Sequence, residues 1–305
     1  MMKFVLGLVL SIATLSAGEI KIAVAANVNY AIEPLKKAFY TLYPKTNIEV
    51  ILGSSGKLTA QIKNGAPYEL FMSANMKYPE VLYKESIAIT KPVVYAQGAL
   101  AYLSVKPQDF TQGMRLLTED KIQKIALANP KTAPYGVAAV EALKNANVYD
   151  VVKEKFVYGE SISQTVAYAT TAADIGFIAR SSLFSPQMAH FKEGIHWSDV
   201  DETLYTPIDQ GMVILKKAEG NSEVKDFYDF MLKKPVTHDL TLWEISVSPK
   251  DILVHDSFDS ITNNQIEADD NEEGFSLTYG GPPYRLSKGR YDRNVRLFEE
   301  IKSYM

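Results

Sequence analysis

The chain has 305 residues, of which 47% are hydrophobic, with no cysteine and a formal net charge of −4. The lack of cysteine excludes disulfide bonds, thiolate metal sites and a cysteine nucleophile. The last 55 residues carry 6 Lys or Arg against 11 Asp or Glu, so the rest of the chain is nearly neutral. A neutral body argues against nucleic acid as a partner, because basic patches hold nucleic acids. The length favours two lobes, at about 100–200 residues per domain.

The first segment, residues 1–17, is predicted to be a secretory signal peptide. Lys3 precedes an apolar run at 4–10, and small residues follow it. The alternative is a membrane anchor, but a bilayer span needs about 20 apolar residues, and this run is shorter. We therefore expect the chain to be exported.

Strands and helices then alternate along the chain. Strands are predicted at 22–26, 48–52, 70–72, 125–128, 156–158 and 175–179, and helices at 35–42, 58–62, 139–146 and 165–171. In the first helix, apolar residues recur at intervals of three and four from Leu35 to Leu42. This spacing predicts that Leu35 and Leu42 lie on the same buried face. The alternation predicts an α/β fold of βαβ units on parallel sheets.

Four strand-to-helix loops are short and rich in small or hydroxyl-bearing residues. They are residues 27–30, 53–56, 129–136 and 159–162. Helix N termini present unpaired N–H groups and about half a positive elementary charge, so they can solvate an anion without a cationic side chain. Ligands of open α/β sheets sit beyond the carboxyl ends of the strands, where these loops fall. The loops therefore indicate an oxyanion receptor.

Six segments of the sequence also carry a family resemblance. They are residues 25–27, 53–58, 61–75, 129–136, 173–177 and 224–231. Together they resemble the periplasmic molybdate-binding proteins of ABC transporters, over about residues 19–234. The resemblance implies a two-lobed type II periplasmic binding protein fold of the α/β class. Lobe one would be residues 19–98 plus 206–250, and lobe two residues 99–205.

The resemblance assigns four ligand contacts in this chain. Asn27 and Ser55 match the first-loop and second-loop donors, and Tyr135 and Ile162 would donate backbone N–H groups. Some family members add a tyrosine where this chain has Ala179, so the fifth donor stays open, and the Tyr135 side chain is one source for it. The ligand would be molybdate or tungstate, with no cofactor and no direct metal-ion ligand.

The function implied by the resemblance is capture of molybdate between two lobes. The chain would be the monomeric periplasmic component of an ABC importer, delivering the anion to a permease in the inner membrane. Two alternatives stay open: a receptor for sulfate or another tetrahedral oxyanion, and an anion sensor with a signalling partner. Molybdate, tungstate and sulfate are full dianions that need only donors, whereas phosphate keeps a proton that needs an acceptor. Glu160 is the one acidic residue in the four loops.

Each candidate residue also has a purely structural interpretation. Ser54 and Ser55 are typical turn and N-cap residues, Asn27 could be an ordinary cap too, and Tyr135 could be a surface aromatic beside Pro134. Arg180 is expected to be structural, although it could reach the cleft.

Catalysis is not expected from this sequence. A hydrolase would need a histidine to activate Ser55, and the four histidines lie far from it in sequence. Residues 53–56 also lack the glycine spacing of a nucleophile elbow.

The tail, residues 251–305, shows no family resemblance. Residues 251–284 contain no Lys or Arg, so an acidic, solvated stretch is predicted there. An amphipathic helix is predicted at 294–305. We expect the tail to contribute little to the anion site.

Overall fold

The computed structural model describes residues 18–233 and two short segments, 275–277 and 284–286. By its internal contacts the chain divides into two units, residues 1–248 and 249–305. The predicted signal peptide, the part of lobe one after residue 233, and the predicted acidic stretch and helix of the tail lie outside the described residues. Among the helices within the described ranges, none has the length and apolarity to cross a bilayer.

Ten strands are described in the first unit. In chain order they are β1 (Glu19–Ala25), β2 (Asn47–Gly53), β3 (Leu70–Met72), β4 (Val93–Gly98), β5 (Leu100–Leu103), β6 (Ile125–Ala128), β7 (Phe156–Gly159), β8 (Ile175–Ala179), β9 (Trp197–Asp199) and β10 (Ile208–Ile214). In the second unit, β11 (Phe275–Leu277) and β12 (Tyr284–Leu286) form an antiparallel pair.

Seven α-helices lie between or after these strands in the described part of the chain. They are α1 (Ile32–Leu42), α2 (Ser55–Lys63), α3 (Lys77–Lys84), α4 (Pro134–Asn145), α5 (Tyr149–Val152), α6 (Ile162–Thr171) and α7 (Ser222–Lys233). The predicted strands at 70–72, 125–128 and 175–179 are confirmed at both ends. Helices α4 and α6 begin several residues earlier than predicted, because Pro134 and the Ser161 cap, rather than apolar periodicity, start them.

The strands of the first unit form two five-stranded sheets. The first sheet has the order β2-β1-β3-β10-β4 and the second has the order β7-β6-β8-β5-β9. The chain leaves the first sheet after β4 and enters the second at β5, with only Ala99 between them, and it returns between β9 and β10. Two chain segments therefore connect the sheets.

The prediction of purely parallel sheets is wrong, because both sheets are mixed. Strand β1 runs parallel to β2 and β3, and β6 runs parallel to β7 and β8. Strand β10 is antiparallel to β3 and β4, and β5 is antiparallel to β8 and β9. These exceptions are strands that enter from the other sheet, so no crossover helix turns the chain back to a parallel direction.

The predicted loops do follow the carboxyl ends of parallel strands. A 3₁₀ helix, Ala26–Val28, follows β1, and α2, α4 and α6 follow β2, β6 and β7 after short loops. Since neighbouring parallel strands end at the same edge of a sheet, each sheet presents two of the four loops at one edge.

An aromatic cluster holds α1 and α7 together beside the first sheet. Phe39 is fully buried, and its ring makes edge-on contacts with Phe227 and Phe230 at centroid distances of 5.1 and 5.4 Å. Tyr43 stacks on the same ring at 4.6 Å. Such pairs add about 0.5–1.5 kcal/mol each beyond the burial of apolar area.

The prediction that Leu42 shares the buried face of α1 is wrong, since its side chain is 59% exposed. The aromatic rings already surround Phe39, and Leu42, the last residue of the helix, lies outside this cluster. The spacing rule fails here because it assumes that a partner surface continues past the end of the helix.

We expect Phe39→Ala to lower the free energy of unfolding by about 3–5 kcal/mol, because it removes a ring from a closed aromatic cluster. Urea titration measures the loss. Leu42→Ala on the same helix is the matched control and should change stability by less than about 0.5 kcal/mol. Equal losses in the two variants would contradict this account of the helix face.

Candidate functional site

The four predicted loops meet at one small cavity between the two sheets. The residues that line it are Ala25, Ala26, Asn27, Ser54, Ser55, Ala74, Ala133, Pro134, Tyr135 and Ile162. The centre of a water molecule can occupy about 10 Å³ of this space. Of the ten described residues that line the cavity, none carries a charge.

All four residues predicted as ligand contacts are among these lining residues. Asn27 and Ser55 follow strands β1 and β2 of the first sheet and are each 1% exposed. Tyr135 and Ile162 come from the second sheet and are 2% and 5% exposed. The structure therefore brings together residues up to 135 positions apart in sequence, half from each sheet.

The buried Ser55 side chain lines the cavity. Its Oγ accepts the backbone N–H of Ala74 at 2.9 Å, which leaves the hydroxyl hydrogen to point elsewhere. Ser54 holds the N-cap position of α2, but its side chain makes no capping bond. The purely structural interpretation of this serine pair as a helix cap therefore does not account for either side chain.

Asn27 lies in the short 3₁₀ helix after β1. Its Nδ2 donates to Oε1 of Gln210 at 2.8 Å, and its buried Oδ1 has no hydrogen-bond partner among the described residues. An unpaired buried amide oxygen is costly, by about 1–3 kcal/mol. This atom marks the cavity as a place where a further polar group is needed.

Tyr135 is not a surface aromatic, as the alternative interpretation had it. Pro134 occupies the first position of α4 and has no N–H, so the helix presents the Tyr135 N–H first. The next residue must be glycine, because a Cβ on Gly136 would lie 2.1 Å from the carbonyl oxygen of Ala128. The start of α4 is thus held tightly against the end of β6.

Ile162 contributes the first N–H of α6, which has no acceptor within its own helix. Ser161 caps the helix by accepting the N–H of Gln164 at 3.3 Å, so the capping bond does not use the Ile162 N–H. Two helix starts, α4 and α6, therefore lie at the cavity on the side of the second sheet, and helix starts carry positive ends that favour anions.

Two polar residues near the cavity were not among the predicted contacts. Ser54 lines the cavity wall, and Gln210 on β10 is fully buried behind it. The Gln210 amide accepts from Tyr95 Oη at 3.0 Å and donates to Tyr135 Oη at 3.4 Å. A buried polar residue in this strand was the available signal, but Asp209 beside it is polar too, and the partners of Gln210 lie far away in sequence.

Hydrogen bonds between the two sheets surround the cavity. The Gly56 N–H donates to the Thr132 carbonyl at 2.9 Å, and Ser163 Oγ donates to the Ala26 carbonyl at 2.8 Å. Ser181 Oγ donates to the Asn27 carbonyl at 3.3 Å. The cavity is thus enclosed by contacts that form only when the sheets are together.

The charged residues near the loops are occupied outside the cavity. Lys57 and Glu160 pair with each other at 3.2 Å, and both side chains are more than half exposed. Arg180 pairs with Asp199 at 2.9 Å and lies over the Phe184 ring. None of these side chains lines the cavity, and neither does Ala179.

The described histidines also lie away from this site. The rings of His190 and His196 both pack on Phe191, and His196 Nδ1 accepts the Lys192 N–H at 3.1 Å. The described residues contain no group of three or more His, Asp or Glu that could hold a metal ion. His238 and His255 lie outside the described residues.

The arrangement suits a small anion that accepts hydrogen bonds. A hydroxyl, an amide and two helix starts converge on an enclosed, uncharged space. Hydrogen bonds to a charged group contribute about 1.5–3 kcal/mol each, so a few of them suffice for tight binding.

Comparison with known proteins gives one family and several close relatives. The model of the family described as "Bacterial extracellular solute-binding protein" matches residues 20–238. A protein described as "Molybdate-binding protein ModA" from Rhodobacter capsulatus is 37% identical, over 76% of this chain and 88% of its own length. The protein of that name from Azotobacter vinelandii is 35% identical, over 70% of this chain and 84% of its own length.

A solved structure agrees with these relatives. The "Azotobacter vinelandii periplasmic molybdate-binding protein" superimposes with a TM-score of 0.66 and 30% sequence identity. The match covers 75% of this chain and 99% of that one.

We expect Gly98→Ala to destabilise the protein by about 1–3 kcal/mol, because inserting a methyl group into a filled site forces its neighbours apart. The added Cβ would lie 2.1 Å from Tyr135 Oη and 2.8 Å from Gln210 Nε2. Thermal unfolding measures the loss. Tyr135→Phe in the Gly98→Ala background should recover part of it by removing the nearest atom.

Gly53→Ala is the control, because its Cβ would first meet a flexible Leu58 methyl group at 3.2 Å. If the Gly98→Ala variant were as stable as the parent, Tyr135 and Gln210 would have room to move away from the added methyl group.

Proposed function

This chain belongs to the family of bacterial extracellular solute-binding proteins, and from that premise we propose that it captures molybdate between two lobes. Its fold is the two-lobed α/β fold of type II periplasmic binding proteins, as the sequence predicts. In the proposed function it is the substrate-binding component of an ABC importer and delivers the anion to a membrane permease.

The observation that carries this proposal is the uncharged, donor-lined cavity between the two sheets. Molybdate is a full dianion at neutral pH and needs donors only. The one carboxylate in the four loops, Glu160, pairs with Lys57 outside the cavity. Hydrogenphosphate would lack a carboxylate acceptor for its proton, which favours an anion without one. Tungstate, with the same charge and shape, is proposed to bind as well.

The four predicted contacts keep their roles in this proposal. Ser55 donates its hydroxyl hydrogen and Asn27 an amide N–H, while Tyr135 and Ile162 donate backbone N–H groups. Ala179 is fully buried in β8 and does not line the cavity, so we propose no donor at that position.

Closure of the lobes would enclose the anion. Lobe one is proposed to be residues 19–98 plus 206–250, and lobe two residues 99–205. The connections between β4 and β5 and between β9 and β10 would serve as the hinge, since hinges are short segments that absorb the rotation of domains. A permease could then distinguish the closed, loaded protein from the open, empty one.

The location and assembly follow from the same premise. We propose that residues 1–17 direct export, that the protein acts in the periplasm, and that it acts as a monomer without a cofactor. For residues 251–305, the prediction from the sequence is kept: they contribute little to the anion site.

The purified full chain should bind molybdate and tungstate with similar affinity, and sulfate and phosphate far more weakly. Sulfate is smaller, so it cannot reach all the donors at once, and phosphate lacks an acceptor for its proton. Isothermal titration calorimetry with the four anions in one buffer measures the order. Equal affinity for sulfate would refute the molybdate assignment in favour of a sulfate receptor.

Ser55→Ala and Asn27→Ala should each weaken molybdate binding by about 1–3 kcal/mol, the scale of one lost hydrogen bond to a charged group. Ser104→Ala is the matched control. Ser104 is equally buried and accepts bonds from Lys106 and Gln108, but it does not line the cavity. It should change the melting temperature without changing affinity. Parent-like affinity in a folded Ser55→Ala protein would remove Ser55 from the site.

A further inference from the structure

Gln210 connects three other side chains behind the cavity wall. It is fully buried, and its Oε1 accepts from Asn27 Nδ2 at 2.8 Å and from Tyr95 Oη at 3.0 Å. Its Nε2 donates to Tyr135 Oη at 3.4 Å. Asn27 and Gln210 are 183 residues apart in sequence, and only Asn27 of the two lines the cavity.

Asn27 lines the cavity, and the unpaired atom of its amide is an acceptor, which has the wrong polarity for a deprotonated oxyanion. One N–H of its Nδ2 donates to Gln210, whereas its Oδ1 is buried and has no hydrogen-bond partner in the described structure. An oxyanion without a proton offers only lone pairs, so it would repel this oxygen. The anion needs the N–H end of the amide.

We propose that Gln210 is a positioning residue that turns the Asn27 amide when an oxyanion enters. In the turned arrangement Gln210 Nε2 donates to Asn27 Oδ1, and Asn27 Nδ2 donates to the anion. This inference rests on the proposed function, because it concerns how the same site binds its ligand.

The surrounding hydrogen bonds permit both amides to turn. The two ends of an amide have nearly the same shape, so a half-turn changes the polarity and preserves the packing. Tyr95 Oη can accept from the turned Gln210 and donate to the Ser73 carbonyl at 3.4 Å. Burial raises the pKa of Tyr95, so its hydroxyl keeps the proton that this bond requires.

Tyr135 completes the turned network from the other sheet. Its hydroxyl lies 3.4 Å from the Gln210 amide and would donate to Oε1 once the amide has turned. Tyr135 belongs to α4 of the second sheet, whereas Gln210 and Asn27 belong to the first. The contact between Tyr135 and Gln210 across the two sheets is therefore kept in both orientations of the amide.

A double-mutant cycle on the full chain tests this role. Gln210→Met removes the amide while keeping the side-chain length, and it should weaken molybdate binding about tenfold in the parent. In the Asn27→Ala background the same change should cost less than about twofold, because no amide remains to be positioned. Calorimetry measures all four proteins, and melting curves establish that each is folded.

Gln210→Glu provides a second variant of nearly the same shape. A carboxylate can accept from Asn27 Nδ2 but cannot donate to Oδ1, so it holds the amide in the unfavourable orientation. Molybdate binding should fall at least as far as in Gln210→Met. Parent-like binding in Gln210→Glu would overturn the proposal.

Nuclear magnetic resonance follows the amide directly in ¹⁵N-labelled protein. The side-chain NH₂ signal of Asn27 is identified by its loss in Asn27→Ala, and its protons should shift when molybdate saturates the parent. An unchanged signal, or an equal loss of affinity from Gln210→Met in both backgrounds, would overturn the positioning role. If the parent itself does not bind molybdate, the proposed function fails instead.

Discussion

An anion must be held away from water in a cavity lined by no charged side chain. Burying an unpaired charge is expensive, so every contact with the anion has to be a hydrogen-bond donor. The start of an α-helix supplies such donors through the backbone, together with a favourable dipole. Placing several helix starts around one point requires strands that end at the same edge of a sheet, and two sheets that face each other. The two-lobed fold satisfies this requirement.

The walls of the site depend on close approach between the sheets. Gly98, at the end of β4, leaves room for the Tyr135 hydroxyl to reach Gln210, since any side chain there would occupy the same space. Hydrogen bonds such as Gly56 to Thr132 and Ser163 to Ala26 then join the sheets beside the cavity. Enclosure and donor geometry therefore arise together, because the groups that exclude water also position the groups that bind.

The charged side chains near the four loops lie outside the cavity. The exposed pair of Lys57 and Glu160 contributes little energy, because solvent screens it. Inside, selectivity has to come from the polarity and placement of neutral groups. The orientation of one amide, Asn27, then decides whether the cavity offers an acceptor or a donor, which is why its partner Gln210 bears on the choice of ligand.

The sequence by itself determined the alternation of strands and helices and the four loops that start helices, and its family resemblance implied the two-lobed fold class. The same resemblance assigned Asn27, Ser55, Tyr135 and Ile162, which the structure has around one cavity. These features are local, because hydrophobic period, turn residues and loop motifs are written in neighbouring positions. The tertiary structure alone decided the antiparallel strands, the exposure of Leu42 and the role of Gln210. Each depends on a partner surface supplied from elsewhere in the chain, and no local pattern records which surface that will be.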